Sequence, residues 1–320
     1  MKKKLLGKSK VEISEIVLGC WAMGGEFWGG TDDEKSINAI RAAFDLGITT
    51  LDTAEAYNKG YSERVIAQAL EGIKNDVVIS SKVASSHLAY DQVIEACERS
   101  LVNLNRDHID IYFLHWPSRE GVPLEETMKA MDKLKKDGKI RCIGLSNFGK
   151  DSFELAKSIT EVDAYQPPYN LLWRGIDKEM IPYCIENEVG IMPYSPIAQG
   201  LLTGKFSLGH QFPEGDTRGR TPLFQPENMK RALILVEQLK PFAQKYDKTL
   251  AQLAMRWVMQ VPGITAPIVG GRNAKQVQEN VGAVGWSIED SDFEKIDALS
   301  REFCDALPNY ASYFNKTIVK

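Results

Sequence analysis

The chain has 320 residues, 43% hydrophobic and 26% charged, an ordinary balance for a globular domain with a large core. A net charge of −4 with both signs interspersed argues against a nucleic-acid partner, which needs a concentrated basic surface. The five cysteines lack CxxC or metal-ligand spacing, so reduced thiols in the cytoplasm are expected, and no apolar run reaches the roughly 18–20 residues of a membrane span.

Met1–Lys4 reads as a solvated terminus, and the opening MKKKLLGKSKVEIS is basic like a signal n-region, but no long apolar run follows. Short β-branched runs then alternate with amphipathic segments. Strands are expected at 16–18, 49–51, 77–80, 109–113, 140–145, 164–165, 191–193 and 266–269. Helical patterns lie between them. The segment 32–46 places Ile37, Ile40 and Phe44 on one face and stops at Gly47. A second pattern begins at Ser62, a plausible N-cap, and runs to 73; others cover 91–104 and 124–136. The basic run KLKKDGK (133–139) closes the last of these, where cations suit the helix dipole. Eight strands alternating with helices imply parallel pairing and right-handed crossovers, hence an α/β (β/α)8 TIM barrel as a single domain over 1–320. The Gly- and Pro-rich stretch 206–225 is expected to be a lid or an unstructured surface loop, and a C-terminal tail is expected from about 303.

Barrel active sites are assembled at the carboxyl ends of the strands. Chemically capable residues fall there one strand after another: Asp52 after the second, Lys82 after the third, His115 after the fourth, Ser146 and Asn147 after the fifth. Gln166, Tyr194 with Ser195, and Gly270 to Arg272 follow the sixth to eighth. Tyr57 shares a loop with Asp52. A free tyrosine, with a pKa of about 10, is a poor acid partner at neutral pH. A neighbouring ammonium lowers that pKa, and Lys82 anchored by Asp52 suits that task, with His115 bonding the substrate oxygen or the phenol. The plainer alternatives are an N-capping Asp52, a surface Lys82, a packed His115 and a rim Tyr57, and separation along the chain does not choose between them. Asp52 and Glu55 also offer the paired carboxylates of a barrel hydrolase. With four histidines and no HExxH-like pair, no metal site is expected.

The string GITTLDTAEAY (47–57) resembles the signature of the aldo-keto reductases. It is followed by SKV at Lys82, LHWP at His115, IGLSNF (143–148), YQPPYN at Gln166, YSPIAQGLLTGK (194–205) and GGRNAKQVQEN (270–280). The YSPIAQGLLTGK form is similar to the bacterial branch that also resembles potassium-channel β subunits. This resemblance implies an NADPH-dependent oxidoreductase that reduces aldehydes or ketones by hydride transfer. Tyr57 would be the general acid, Lys82 would lower its pKa, Asp52 would hold Lys82, and His115 would orient the carbonyl. Ser146, Asn147 and Gln166 would bond the nicotinamide carboxamide, and Tyr194 would stack on that ring. Ser195, Gly200, Leu201, Gly204 and Lys205 would lie along the pyrophosphate and ribose. Gly270, Arg272, Gln276, Glu279 and Asn280 would enclose the adenosine end.

No GxGxxG with a trailing acid follows a strand, so a Rossmann site is unsupported, and the glycine-rich GGEFWGG (24–30) is expected to shape the mouth. Barrels bind phosphates at the loops after strands seven and eight, where both late motifs fall. Arg272 at the opening of a helix suits a 2′-phosphate, which favours NADP, with NAD the less favoured cofactor. Trp21, Trp28, Trp116 and the aromatics of 310–314 are candidates for an apolar substrate pocket. A nucleotide-sensing regulatory subunit with slow turnover is the alternative function. The physiological carbonyl, the favoured direction and the oligomeric state stay open.

Overall fold

The computed structural model describes residues 1–25, 30–73 and 77–307 and opens on a hairpin, with Met1 to Lys3 exposed and Lys4 half-buried at its start. β1 (Lys3–Leu5) pairs antiparallel with β2 (Glu12–Ser14). The period-2 alternation, hidden among lysines, turns Leu6, Val11 and Ile13 inward, each at most 2% exposed. They pack against Val17, Val78, Ile111, Phe113, Ala164 and Met192 and so close one end of the barrel. Two glycines make room for this core. A Cβ on Gly190 would lie 2.5 Å from Leu6 Cδ1, and one on Gly144 would lie 2.2 Å from Phe113 Cε1.

The alternating units follow in order: β3 (Val17–Gly19), α1 (Asp33–Asp45), β4 (Thr50–Asp52), α2 (Tyr61–Ala69), β5 (Val78–Val83), α3 (Tyr90–Leu104) and β6 (Ile109–Leu114). The second half carries α4 (Leu124–Lys136), β7 (Ile140–Ser146), α5 (Lys150–Lys157), β8 (Ala164–Gln166), α6 (Met180–Glu186) and β9 (Gly190–Ile191). It ends with α7 (Pro226–Lys245), α8 (Leu250–Gln260), β10 (Ile268–Gly270), α9 (Ala274–Val281) and α10 (Asp290–Asp305). All eight strands from β3 onward pair in parallel in the order β10-β3-β4-β5-β6-β7-β8-β9. Parallel bridges Ile191 to Ile264 and Tyr194 to Ile268 join the two outer strands, completing a (β/α)8 barrel. β9 is shorter than expected because Pro193 has no N–H to donate, although its carbonyl accepts from Ile268 N at 2.8 Å.

Capping follows the sequence in α1, where the Asp32 carboxylate accepts from Lys35 N at 3.1 Å and the chain leaves through Gly47 at φ +86°. In α2 it does not. Gly60 at φ +75° starts the helix, while Ser62, expected as the cap, sits inside it and donates to Cys20 O at 2.9 Å. The 206–225 segment is folded: Phe206, Phe212 and Phe224 pack together, and two short 3-10 turns, Thr217–Arg220 and Pro222–Phe224, shape it. Helix α10 extends past the expected start of the tail, to Asp305.

Candidate active site

A cavity of about 880 Å³ opens at the carboxyl ends of the strands. β4 delivers Asp52 to its floor, and three donors converge on that carboxylate: Lys82 Nζ at 2.6 Å, Ser80 Oγ at 2.7 Å and Gln166 Nε2 at 2.8 Å. Lys82 is fully buried rather than a surface lysine, and its ammonium also donates to Thr53 O at 2.6 Å. Charge pairing makes this burial tolerable, although desolvation still holds the amine below its ordinary pKa against the pull of Asp52.

Tyr57 lies over this pair, with Lys82 Nζ 5.1 Å from its ring centroid and the His115 ring edge-on at 5.6 Å between centroids. The expectation that Lys82 draws the phenol's pKa down meets an opposing balance. Desolvation, then the Asp52 charge, then Cys20 push the phenol well above its ordinary value. Lys82 faces the ring and spends its hydrogen bonds on Asp52 and Thr53, so its field at the phenol is offset by the carboxylate beside it. The group stays a protonated acid.

Residues from β7 to the β9 loop form the adjoining wall. Ser146 Oγ donates to Gln166 O at 2.9 Å, Asn147 Nδ2 donates to His115 O at 3.0 Å, and Tyr194 OH donates to Asn147 Oδ1 at 2.8 Å. Asn147 and Ser195 hold positive φ, 67° and 57°, which turns the chain sharply at the strand ends. Beyond them Gly200, at φ +95°, and Lys205 line the cavity, whereas Leu201 is fully buried in the core and Gly204 packs toward Leu250. Neither Leu201 nor Gly204 belongs to the lining.

The far end is cationic. Arg272 Nη2 donates to Gly30 O at 3.1 Å, and its backbone N–H donates to Gln276 Oε1 at 2.8 Å. It lies two residues before α9, because Asn273 is the cap, accepting from Gln276 N at 3.0 Å. Gly270, Gln276, Glu279 and Asn280 line the same end, and Asn280 Nδ2 donates to Gly270 O at 3.1 Å. Arg218, which the sequence did not single out, reaches this cavity from the 206–225 segment, held by Asp216 at 2.6 Å and donating to Gln199 O at 3.2 Å. Although Lys205 is exposed as a residue, its amine is held below its ordinary pKa, by desolvation first and then by Arg218 and Arg272. Gln199 Oε1 is buried in the lining without a hydrogen-bond partner. Three crowded cations and an orphaned acceptor fit a polyanion bearing hydroxyl groups.

Several other expectations resolve differently. Glu55 faces away from the cavity: it accepts from Ala84 N at 2.7 Å and contacts His87 and Arg99, so it makes no carboxylate pair with Asp52 for hydrolysis. Trp21 and Trp116 line the cavity, while Trp28 and the aromatics of 310–314 lie outside the described residues. All five cysteines are unpaired. Among the described residues no cluster of metal-binding side chains occurs, and no helix is long and apolar enough to cross a membrane.

The model of the Aldo/keto reductase family matches residues 15–301. The chain is 37% identical over 300 residues to aldo-keto reductase YhdN of Bacillus subtilis, covering 90% of each. It is 33% identical over 330 aligned positions to the NADH-specific methylglyoxal reductase of Escherichia coli, covering 96% of this chain and 99% of the relative. Among solved structures, a glycerol dehydrogenase from Gluconobacter oxydans superposes with a TM-score of 0.87 at 29% identity, over 96% of this chain and 98% of the other. An aldo/keto reductase from Klebsiella pneumoniae in complex with NADP and acetate gives 0.75 at 28% identity, over 98% of each.

Proposed function

The chain belongs to the aldo/keto reductase family of oxidoreductases, and from that premise we propose that it reduces aldehydes or ketones to alcohols with NADPH favoured over NADH. The observation that carries the reading is the buried Lys82–Asp52 pair beneath Tyr57, at one end of a cavity whose other end collects Lys205, Arg218 and Arg272.

Bound nicotinamide supplies the hydride, and the protein's residues handle the proton. Tyr57 holds its phenolic proton in the ground state, since desolvation and Asp52 oppose its loss. As charge develops on a carbonyl oxygen beside it, the phenol donates that proton. The resulting phenolate lies near the Lys82 ammonium, whose own protons are held by Asp52 and Thr53 O. His115, edge-on to Tyr57, orients the carbonyl oxygen. Gln166 gives its amide N–H to Asp52, which leaves its carboxamide oxygen as an acceptor; with Ser146 and Asn147 beside it, it would hold the nicotinamide amide, and Tyr194 would face the ring. Ser195, Gly200 and Lys205 follow the pyrophosphate. Arg272, with Gln276, Glu279 and Asn280, would take the adenosine end, and the 206–225 segment adds Arg218 to the same lining.

NADPH preference rests on the three cations, because a 2′-phosphate adds charge that NADH lacks. The relatives diverge, one named NADH-specific and one solved with NADP. Oxidation of each cofactor, followed by absorbance with a panel of aldehydes, tests the proposal. Turnover with a higher kcat/KM for NADPH is expected; no oxidation with any carbonyl overturns it, and an NADH preference overturns the cofactor assignment.

A further inference from the structure

The wall around Tyr57 is mostly apolar or neutral: Trp21, Ala56, Ala84, Ser85 and Trp116. One residue there is not. Arg119 lines the cavity from the loop that leaves β6 immediately after His115 and Trp116. The loop is organised by Ser118, whose hydroxyl accepts from Glu120 N at 3.2 Å and Val122 N at 3.0 Å, with Gly121 at φ +77° completing the turn. Arg119 is therefore presented from an ordered turn. It is exposed, and among the described residues it has no ion pair or hydrogen bond.

This cation comes from the loop after β6, whereas Lys205 and Arg218 come from the segment after β9 and Arg272 from the loop after β10. Among the described residues, the carboxylates in the lining are Asp52, neutralised by Lys82, and Glu279, on α9. The region that receives the carbonyl substrate thus carries one uncompensated positive charge and no opposing acid among the described residues. A guanidinium meets a carboxylate through two parallel N–H bonds, and its field also favours approach of an anion to the mouth.

Resting on the reductase reading, we propose that Arg119 is a specificity-determining residue that selects carbonyl substrates bearing a carboxylate away from the reacting carbon. The carboxylate would lie at the mouth against the guanidinium while the carbonyl reaches Tyr57 and His115.

The test compares succinic semialdehyde and 4-carboxybenzaldehyde, each against its neutral methyl ester, with wild type, Arg119→Gln and Arg119→Lys. The readout is the ratio of kcat/KM for acid over ester. An exposed pair is screened, so a ratio of about three to ten is expected for wild type, falling toward 1 at high salt. Arg119→Gln should bring the ratio to about 1 or below, and Arg119→Lys should keep part of it. Equal ratios in wild type and Arg119→Gln overturn the proposal, as does a wild-type ratio at or below 1. Absence of cofactor oxidation with all four aldehydes and either nicotinamide overturns the reductase reading, and this inference with it.

Discussion

Gln166 Nε2 donates to Asp52 Oδ2 at 2.8 Å across 114 residues of sequence. The bond joins the sixth strand of the barrel to the second, so a residue assigned to the nicotinamide is locked to the carboxylate beneath the proposed acid. It gives Asp52 a third donor beside Lys82 and Ser80.

Asp52→Asn removes the counter-charge of a fully buried lysine. Breaking such a pair typically costs about 3–5 kcal/mol, because the remaining charge is desolvated without compensation. The Lys82 amine, already lowered by burial, should have its pKa lowered further without the Asp52 charge. Denaturant unfolding should report the stability loss, and kcat/KM should collapse. Wild-type stability in this variant would show that the Lys82–Asp52 pair does not anchor the site.

Tyr57→Phe deletes the phenol and keeps the ring against His115 and Trp21. A positioned acid is worth about 10²–10⁴ in rate, so turnover should drop by that factor while NADPH binding stays near wild type. The check is single-turnover kinetics alongside cofactor titration. Retention of more than half the rate of the chemical step would remove Tyr57 from the role.

Arg272→Ala should weaken NADPH far more than NADH, since only NADPH carries the 2′-phosphate. A charge-assisted contact of about 1.5–3 kcal/mol corresponds to roughly ten- to over a hundredfold in affinity. The difference should shrink as salt rises. Tryptophan fluorescence quenching with each cofactor measures it, and equal losses for the two would place the 2′-phosphate elsewhere. Arg218, held by Asp216, is then the next candidate.

Glu63 gives a pH-dependent stability. It is fully buried on α2, accepts from Ser81 Oγ at 2.7 Å and Asn103 Nδ2 at 3.0 Å, and burial raises its carboxyl above the ordinary range. A raised folded-state pKa means that protonation favours the fold: the contribution is full below the unfolded-state pKa and is lost as pH rises through the folded one. Glu63→Gln, which mimics the protonated acid, should therefore raise Tm at neutral pH, and the gain should vanish toward the ordinary carboxylate pKa. Thermal melts across pH decide it; a gain that persists at low pH would contradict the cause given.

The sequence by itself determined the alternation and hence the barrel, because strand and helix periods and signals such as Asp32 and Gly47 act through near neighbours. It also determined which polar residues stand at the strand ends, since each follows its own apolar run. Tertiary structure alone decided their environments. Asp52 became the acceptor for Ser80, Lys82 and Gln166, while Glu55, three residues along, turned outward to His87 and Arg99. Lysines in the opening segment hid the hairpin whose apolar residues close the barrel, and Arg218 reached the cavity only through the packing of Phe206, Phe212 and Phe224. The physical reason is common to all of these. Desolvation and charge pairing depend on groups brought together by strand register and barrel closure, over separations at which the local pattern of a sequence carries no information.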